Sequence, residues 1–214
     1  MLYWNTVNDT LKNALYLFMQ SSIFDSFRLV GGTSLSLQLG HRMSIDIDLF
    51  TDAPYRSIDF DLIDSFLKDN FNYVDGSMGM LVANGRSYAV GGSKTDNVKL
   101  DINYTDTFIQ QPLVIDGVRL ATIDEIVAMK MEIMQDAGRK KDFWDIHEVL
   151  DQYSITRMIE LHEQRYPYGH DGNLILRQLQ NFKKADNEVD PECLRGKHWE
   201  LIKLDIVETL NHLS

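Results

Sequence analysis

Apolar residues along the first 121 positions keep switching between two periods. Residues 1–22, MLYWNTVNDTLKNALYLFMQSS, place Leu11, Leu15 and Phe18 on one stripe and predict an amphipathic helix. FRLVGG (27–32) reads as a strand ending in glycine, and TSLSLQLG (33–40) as a short helix closed by Gly40. SIDIDLFT (44–51) alternates strictly and predicts a strand. SIDFDLIDSFLKDN (57–70) follows as a helix through Phe60, Ile63 and Leu67. GMLVANGRSYAVGG (79–92) predicts a hairpin turning at Asn84-Gly85, because that pair suits positive φ. NVKLDINYT (97–105) is a further strand, and LVIDGVRLA (113–121) a second hairpin around Asp116-Gly117.

From Thr122 the pattern becomes helical. Thr122 and Glu125 form a capping box before IVAMKMEIMQDA, which Gly138 is expected to stop. KKDFWDIHEVLDQY, ITRMIELHEQRY, GNLILRQLQNF and HWELIKLDIVETLNHL predict four more helices, and residues 183–192 a loop. All 14 acidic residues before position 122 are Asp, and Glu appears only afterwards, as strands, turns and caps give way to helices. The reading is α+β, with a mixed sheet flanked by helices in 1–121 and a helical bundle in 122–214.

Composition narrows the function. The chain has 214 residues, 44% hydrophobic and 25% charged, ordinary for a soluble globular protein. No apolar run is long enough to span a bilayer and no leader pattern opens the chain, so a cytoplasmic protein with no membrane partner is expected. Cys193 is the lone cysteine, which excludes an internal disulfide and a cysteine zinc cluster. A formal charge of −11 argues against an extended nucleic-acid groove, so any such contact must use a local basic patch.

Candidate chemistry gathers in GGTSLSLQLGHRMSIDIDLF (31–50). Asp46 and Asp48, two apart on a strand, share one face, while Ile45, Ile47 and Leu49 take the other. Asp101, on the polar face of its own strand with Lys99 and Asn103, joins them if the two strands are neighbours. Clustered carboxylates repel unless a cation sits among them, and oxygen ligands without His or Cys suit Mg²⁺ or Mn²⁺. Gly31 and Gly32, leading from a strand into a helix, allow phosphate to approach backbone N–H groups, with the hydroxyl of Thr33 or Ser34 as a further donor. Neither GxxxxGK[ST] nor GxGxxG occurs. Taken singly, Gly-Gly is most often a turn and Asp-x-Asp a solvated face; their proximity, with Arg42 between them, carries the reading.

Two residues interrupt the helical half. Lys130 falls on the stripe of Ile126, Val127, Ile133 and Met134, either as a snorkelling side chain or as a lysine aimed at a triphosphate. Asp142 is either a first-turn acid or a group that orients an attacking hydroxyl and accepts its proton. Arg139, Lys140 and Lys141 form the only tight basic cluster.

The first motif, VKLDI, and TIDEIVAMKMEIMQDAGRKKDFWDIHEVL together resemble the AbiEii/AbiGii toxin family of nucleotidyltransferases, within the DNA polymerase β-like superfamily, over roughly residues 28 to 150. The resemblance implies that Gly32, Thr33 and Ser34 hold phosphate, that Arg42 and Ser44 lie near the nucleotide, and that Asp46 and Asp48 bind metal. It further implies that Lys130 contacts the triphosphate and Asp142 is the second catalytic acid. The expected reaction is metal-dependent transfer of NMP from an NTP to an acceptor hydroxyl, by the toxin of a toxin–antitoxin or abortive-infection system with a possible cognate antitoxin. Some members act on tRNA acceptor ends, so tRNA is the expected acceptor. A protein hydroxyl or an aminoglycoside-like cation, a γ-phosphate kinase, or a non-catalytic module binding nucleotide or antitoxin are the alternatives.

Overall fold

The computed structural model describes residues 1–76 and 84–213. The chain forms two compact units: residues 1–39 with 44–121, and residues 40–43 with 122–214.

The first unit is a mixed seven-stranded sheet with helices. In chain order it contains α1 (Asp9–Gln20), β1 (Arg28–Leu29), α2 (Gly31–Leu39), β2 (Asp46–Thr51), α3 (Phe60–Asn70) and β3 (Tyr73–Gly76). β4 (Gly85–Ser93), β5 (Asp96–Tyr104), β6 (Leu113–Ile115) and β7 (Val118–Leu120) complete it. The strand order is β3-β4-β5-β2-β1-β7-β6. β2 runs parallel to β5 and β1 parallel to β7, and the remaining neighbours are antiparallel. α1 starts where the Asn8 side chain accepts the Leu11 N–H at 2.8 Å, a cap worth about 1 kcal/mol. Its buried stripe of Leu11, Leu15 and Phe18 belongs to a core shared with Ile47 and Leu49 of β2 and Leu100 and Ile102 of β5. Phe18, Phe24 and Phe66 add offset and edge contacts, with ring centroids 4.9 Å (Phe18–Phe24) and 5.3 Å (Phe24–Phe66) apart.

The second unit is helical: α4 (Ile123–Gln135), α5 (Lys140–Val149), α6 (Ile155–Arg165), α7 (Gly172–Gln178) and α8 (Trp199–Asn211). The Thr122 hydroxyl accepts the Glu125 N–H and starts α4. Phe143, Phe182 and Trp199 pack together, and a fully buried Arg165–Glu125 pair at 2.7 Å braces α6 against α4. Residues 40–43 join this unit because they bridge to 192–194. The Met43 N–H donates to the Glu192 carbonyl and the Leu194 N–H to the His41 carbonyl, both at 2.9 Å. The sequence places these four residues in the first half; long-range backbone pairing overrides that reading. No helix among the described residues is long and apolar enough to cross a membrane.

Several local expectations are corrected. Gly85 is not at positive φ: it opens β4 opposite Asn103, where an added Cβ would strike the Ile102 carbonyl. The partner strand expected at 79–83 lies outside the described residues, while β3, unforeseen, pairs with β4. α4 ends through Ala137 at φ 58°, not through Gly138, whose missing Cβ makes room for the Met134 side chain. Asp116 and Gly117, at φ 52° and 79°, do form the tight turn between β6 and β7.

Candidate active site

β2 alternates as its sequence requires: Ile47 and Leu49 are fully buried, and Asp46 and Asp48 lie half-buried on the opposite face. Ile45 departs from the pattern, standing 65% exposed just before the strand. The parallel register sets Asp48 opposite Asp101 and Asp46 opposite Lys99 on β5, which brings the strands of the three predicted carboxylates together. Asp101 already has partners. Its Oδ2 accepts from Lys99 Nζ at 2.5 Å, and its Oδ1 accepts from Ser87 Oγ of β4 at 2.6 Å. The hydrogen bond to Asp101, with the charges of Asp46 and Asp48 behind it, raises the Lys99 pKa.

The glycine segment meets this face. Gly31, at φ +68°, begins α2, and a Cβ built on it would lie 2.6 Å from Asp48 Oδ2. Only glycine allows the backbone so close to that carboxylate. The Val30 N–H donates to the Asp48 carbonyl at 2.9 Å and fixes the approach. The first N–H groups of α2, at Gly31, Gly32 and Thr33, have no carbonyl one turn back within the helix, the arrangement that suits an anion.

Of the two hydroxyls predicted as phosphate donors, that of Thr33 donates internally. Buried Thr33 donates its one hydrogen to the Asp46 carbonyl, so Ser44 Oγ, 2.7 Å away, must donate to Thr33. This chain ties α2 to the first residue of β2. Ser34, fully buried, accepts from Gln38 Nε2 at 3.1 Å.

The donor set fits a hard divalent cation. Among the described residues no group of three or more His, Cys, Asp or Glu could hold a metal. Mg²⁺ is commonly held by one or two carboxylates plus substrate phosphates, which is what Asp46 and Asp48, with Gly31 against the latter, can offer.

Arg42, Lys130 and Asp142 lie in the second unit, in one buried ion cluster with two residues that the sequence reading did not single out, His41 and Asp145. Arg42 forks onto Asp145, Nε to Oδ1 at 2.7 Å and Nη2 to Oδ2 at 2.8 Å, while its Nη1 donates to the Met43 carbonyl. His41 Nε2 lies 2.8 Å from Asp145 Oδ1. Lys130 Nζ reaches Asp142 Oδ1 at 2.6 Å and Asp145 Oδ2 at 2.7 Å. Asp142 Oδ2 also accepts from the backbone N–H and Nε of Arg139. Burial alone would push both carboxyls up. Arg42 and Lys130 instead hold Asp145 well below the usual carboxylate range, and Lys130 and Arg139 lower Asp142. Burial would also lower Lys130, but the two carboxylates outweigh it and raise its pKa. Since Asp145 is ionised it can only accept, so His41 Nε2 carries the proton, and its buried Nδ1 is left without a hydrogen-bond partner.

Asp145 had a sequence signal: three residues after Asp142, it shares that residue's helical face. His41 had none. The basic cluster is not a uniform solvated run, because Lys140 is buried, with Nζ 2.8 Å from Asp190 and 5.3 Å from the Trp199 ring centroid.

Residues 13–212 match the family described as nucleotidyl transferase AbiEii toxin, type IV toxin–antitoxin system. The chain belongs to this family. It is therefore a nucleotidyltransferase of a toxin family, which implies a nucleoside triphosphate substrate and a cognate antitoxin. An uncharacterized protein of Aquifex aeolicus is 24% identical over 199 residues, 90% of each chain. Among solved structures, a Helicobacter pylori protein assigned as a nucleotidyltransferase superposes with a TM-score of 0.56 at 17% identity, covering 95% of this chain and 91% of that one. The nucleotidyltransferase toxin MenT4 of Mycobacterium tuberculosis gives 0.53 at 15% identity, covering 95% and 82%. At such identities these likenesses show the AbiEii-family chain's fold.

Proposed function

We propose that this AbiEii-family chain moves an NMP from an NTP to an acceptor hydroxyl in a reaction that depends on Mg²⁺ or Mn²⁺ held by Asp46 and Asp48. One observation carries the reading: two half-buried carboxylates share a strand face directly beside a glycine whose backbone leads into a helix N-terminus. The acceptor oxygen bonds to the α-phosphorus, the bond from that phosphorus to the bridging oxygen breaks, and pyrophosphate departs. The acceptor proton leaves to water. The ion, when bound, supplies charge neutralisation for the triphosphate. The protein's part is orientation: Asp46 and Asp48 fix the ion's place, Gly31 and Gly32 admit phosphate to backbone N–H groups, and the Thr33–Ser44 hydroxyl chain keeps helix and strand in register.

The acceptor implied by the family resemblance is tRNA. A small cationic acceptor is the second reading, favoured by the charge of −11 and by the use of Lys140 inside its own unit. Lys130 and Asp142 enter the proposal as triphosphate contact and second acid; Lys130→Met, assayed for both turnover and unfolding, separates those roles from bracing alone.

The test is transfer from each α-labelled NTP to total tRNA, total protein or an aminoglycoside panel, with Mg²⁺ or with chelator. Label on one acceptor class, lost with chelator and in Asp46→Ala, is the expected result. Label carried only from the γ-phosphate would replace this reading with a kinase. NTP binding without any turnover would replace it with a binding module.

A further inference from the structure

Asp101 is the third carboxylate on the strand face, yet both its oxygens are engaged by neighbours. Ser87 Oγ donates to Oδ1 from β4, and Lys99 Nζ donates to Oδ2 from two residues earlier on β5. Lys99, Asp101, Asp46 and Asp48 occupy facing positions of two parallel strands, Lys99 opposite Asp46 and Asp101 opposite Asp48. The Lys99 side chain is 56% exposed and the Asp101 carboxylate 16%. The cation is thus the solvated member of the pair, and the carboxylate the more buried one. An ammonium is a compact point charge that can satisfy one oxygen without imposing a coordination geometry. A divalent ion demands directed oxygens and releases its water reluctantly. With its charge matched and each oxygen already accepting one hydrogen bond, Asp101 is a poor competitor for such an ion.

We propose that Lys99, with Ser87, is a positioning residue that withholds Asp101 from the metal, so that the ion is held by the Asp46–Asp48 pair alone and Lys99 tempers the charge of the whole carboxylate face. The inference rests on the metal-dependent reading above and assigns the third carboxylate within it. Removing the ammonium makes the face more negative and frees an oxygen of Asp101 in the same step. Retaining a positive charge at position 99 preserves both effects.

The experiment is Mn²⁺ binding to the full chain without nucleotide, followed by the electron paramagnetic resonance signal of free Mn²⁺. Circular dichroism establishes that each variant is folded. Lys99→Met is expected to tighten Mn²⁺ binding about tenfold, or to add a second bound ion, because a unit positive charge is lost within a few ångström of the carboxylates. Lys99→Arg is expected to bind as the parent does. Asp101→Asn alone is expected to weaken binding through its lost charge, but clearly less than Asp48→Asn does, and Lys99→Met/Asp101→Asn to lose most of the gain seen in Lys99→Met. Two results overturn the proposal: Lys99→Met binding Mn²⁺ as the parent does, or Asp101→Asn weakening it as much as Asp48→Asn. A separate result, Mn²⁺ binding unaffected by Asp46→Asn and Asp48→Asn, removes the metal reading itself, so the two failures are distinguishable.

Discussion

Asp48 and Asp145 are both aspartates surrounded by chemistry-bearing residues, and their surroundings differ in one decisive respect. Asp145 is fully buried and accepts three hydrogen bonds, one from His41 and two from Arg42, with Lys130 Nζ in ion-pair contact at 2.7 Å. Asp48 is half-buried, on a face that carries two further carboxylates and one exposed lysine. A closed, charge-matched cluster holds a fold together; a half-buried face of three carboxylates and one lysine is where the proposed cation would bind. The two carboxylates should therefore fail in opposite ways when altered.

The sharpest test of that contrast is Asp48→Asn. Transfer activity is expected to fall by three orders of magnitude or so, as for loss of a central electrostatic group, while the urea midpoint barely moves. An equal loss of stability would erase the distinction. Asp145→Asn should do the reverse, costing about 3–5 kcal/mol in denaturant unfolding because buried Arg42 loses its bidentate carboxylate and buried Lys130 keeps only Asp142.

Acid sharpens the same comparison. Asp142 and Asp145 have folded-state pKa values below the ordinary 3.8, so their stabilisation is present above that value and is lost as pH falls through the folded values. Lys130, raised above 10.5, contributes stability that is complete below 10.5 and fades at higher pH. Stability should therefore decline below about pH 4 with a steep acid limb. The limb should be shallower in Asp145→Asn, measured by urea unfolding at stepped pH.

Gly31→Ala is the smallest perturbation. The left-handed backbone costs about 1–2 kcal/mol for a residue with a Cβ. The methyl must also displace Asp48 Oδ2, only 2.6 Å from where it would sit. A modest drop in melting temperature with a clear fall in Mn²⁺ affinity is expected; a drop in melting temperature alone would show that the approach to Asp48 is incidental.

The parts legible in sequence were those set by local periodicity. Asp46 and Asp48 were assignable to one face because a strand has period two, and Lys130 stood out because it broke an apolar stripe. What escaped was set by pairing across long separations. Asn84-Gly85 looked like a turn until β4 was placed against β5, and His41 had no pattern of its own because its partner lies 104 residues later. Thr33 or Ser34 was read as a donor to a ligand; the Thr33 hydroxyl gives its hydrogen to the Asp46 carbonyl, while the Ser34 hydroxyl accepts from Gln38, and a sequence cannot show which of several partners a hydroxyl will meet.

The membership of residues 40–43 in the second unit has a consequence for the order of synthesis. A ribosome adding about 5–20 residues per second makes His41 and Arg42 roughly 5–20 s before Asp145, and longer still before 192–194, their backbone partners. The second unit cannot make the backbone bonds of residues 40–43 until residues 192–194 have been synthesised. A chain released early, even one carrying all of β1 to β7, would leave a guanidinium and an imidazole with no Asp145 to receive them.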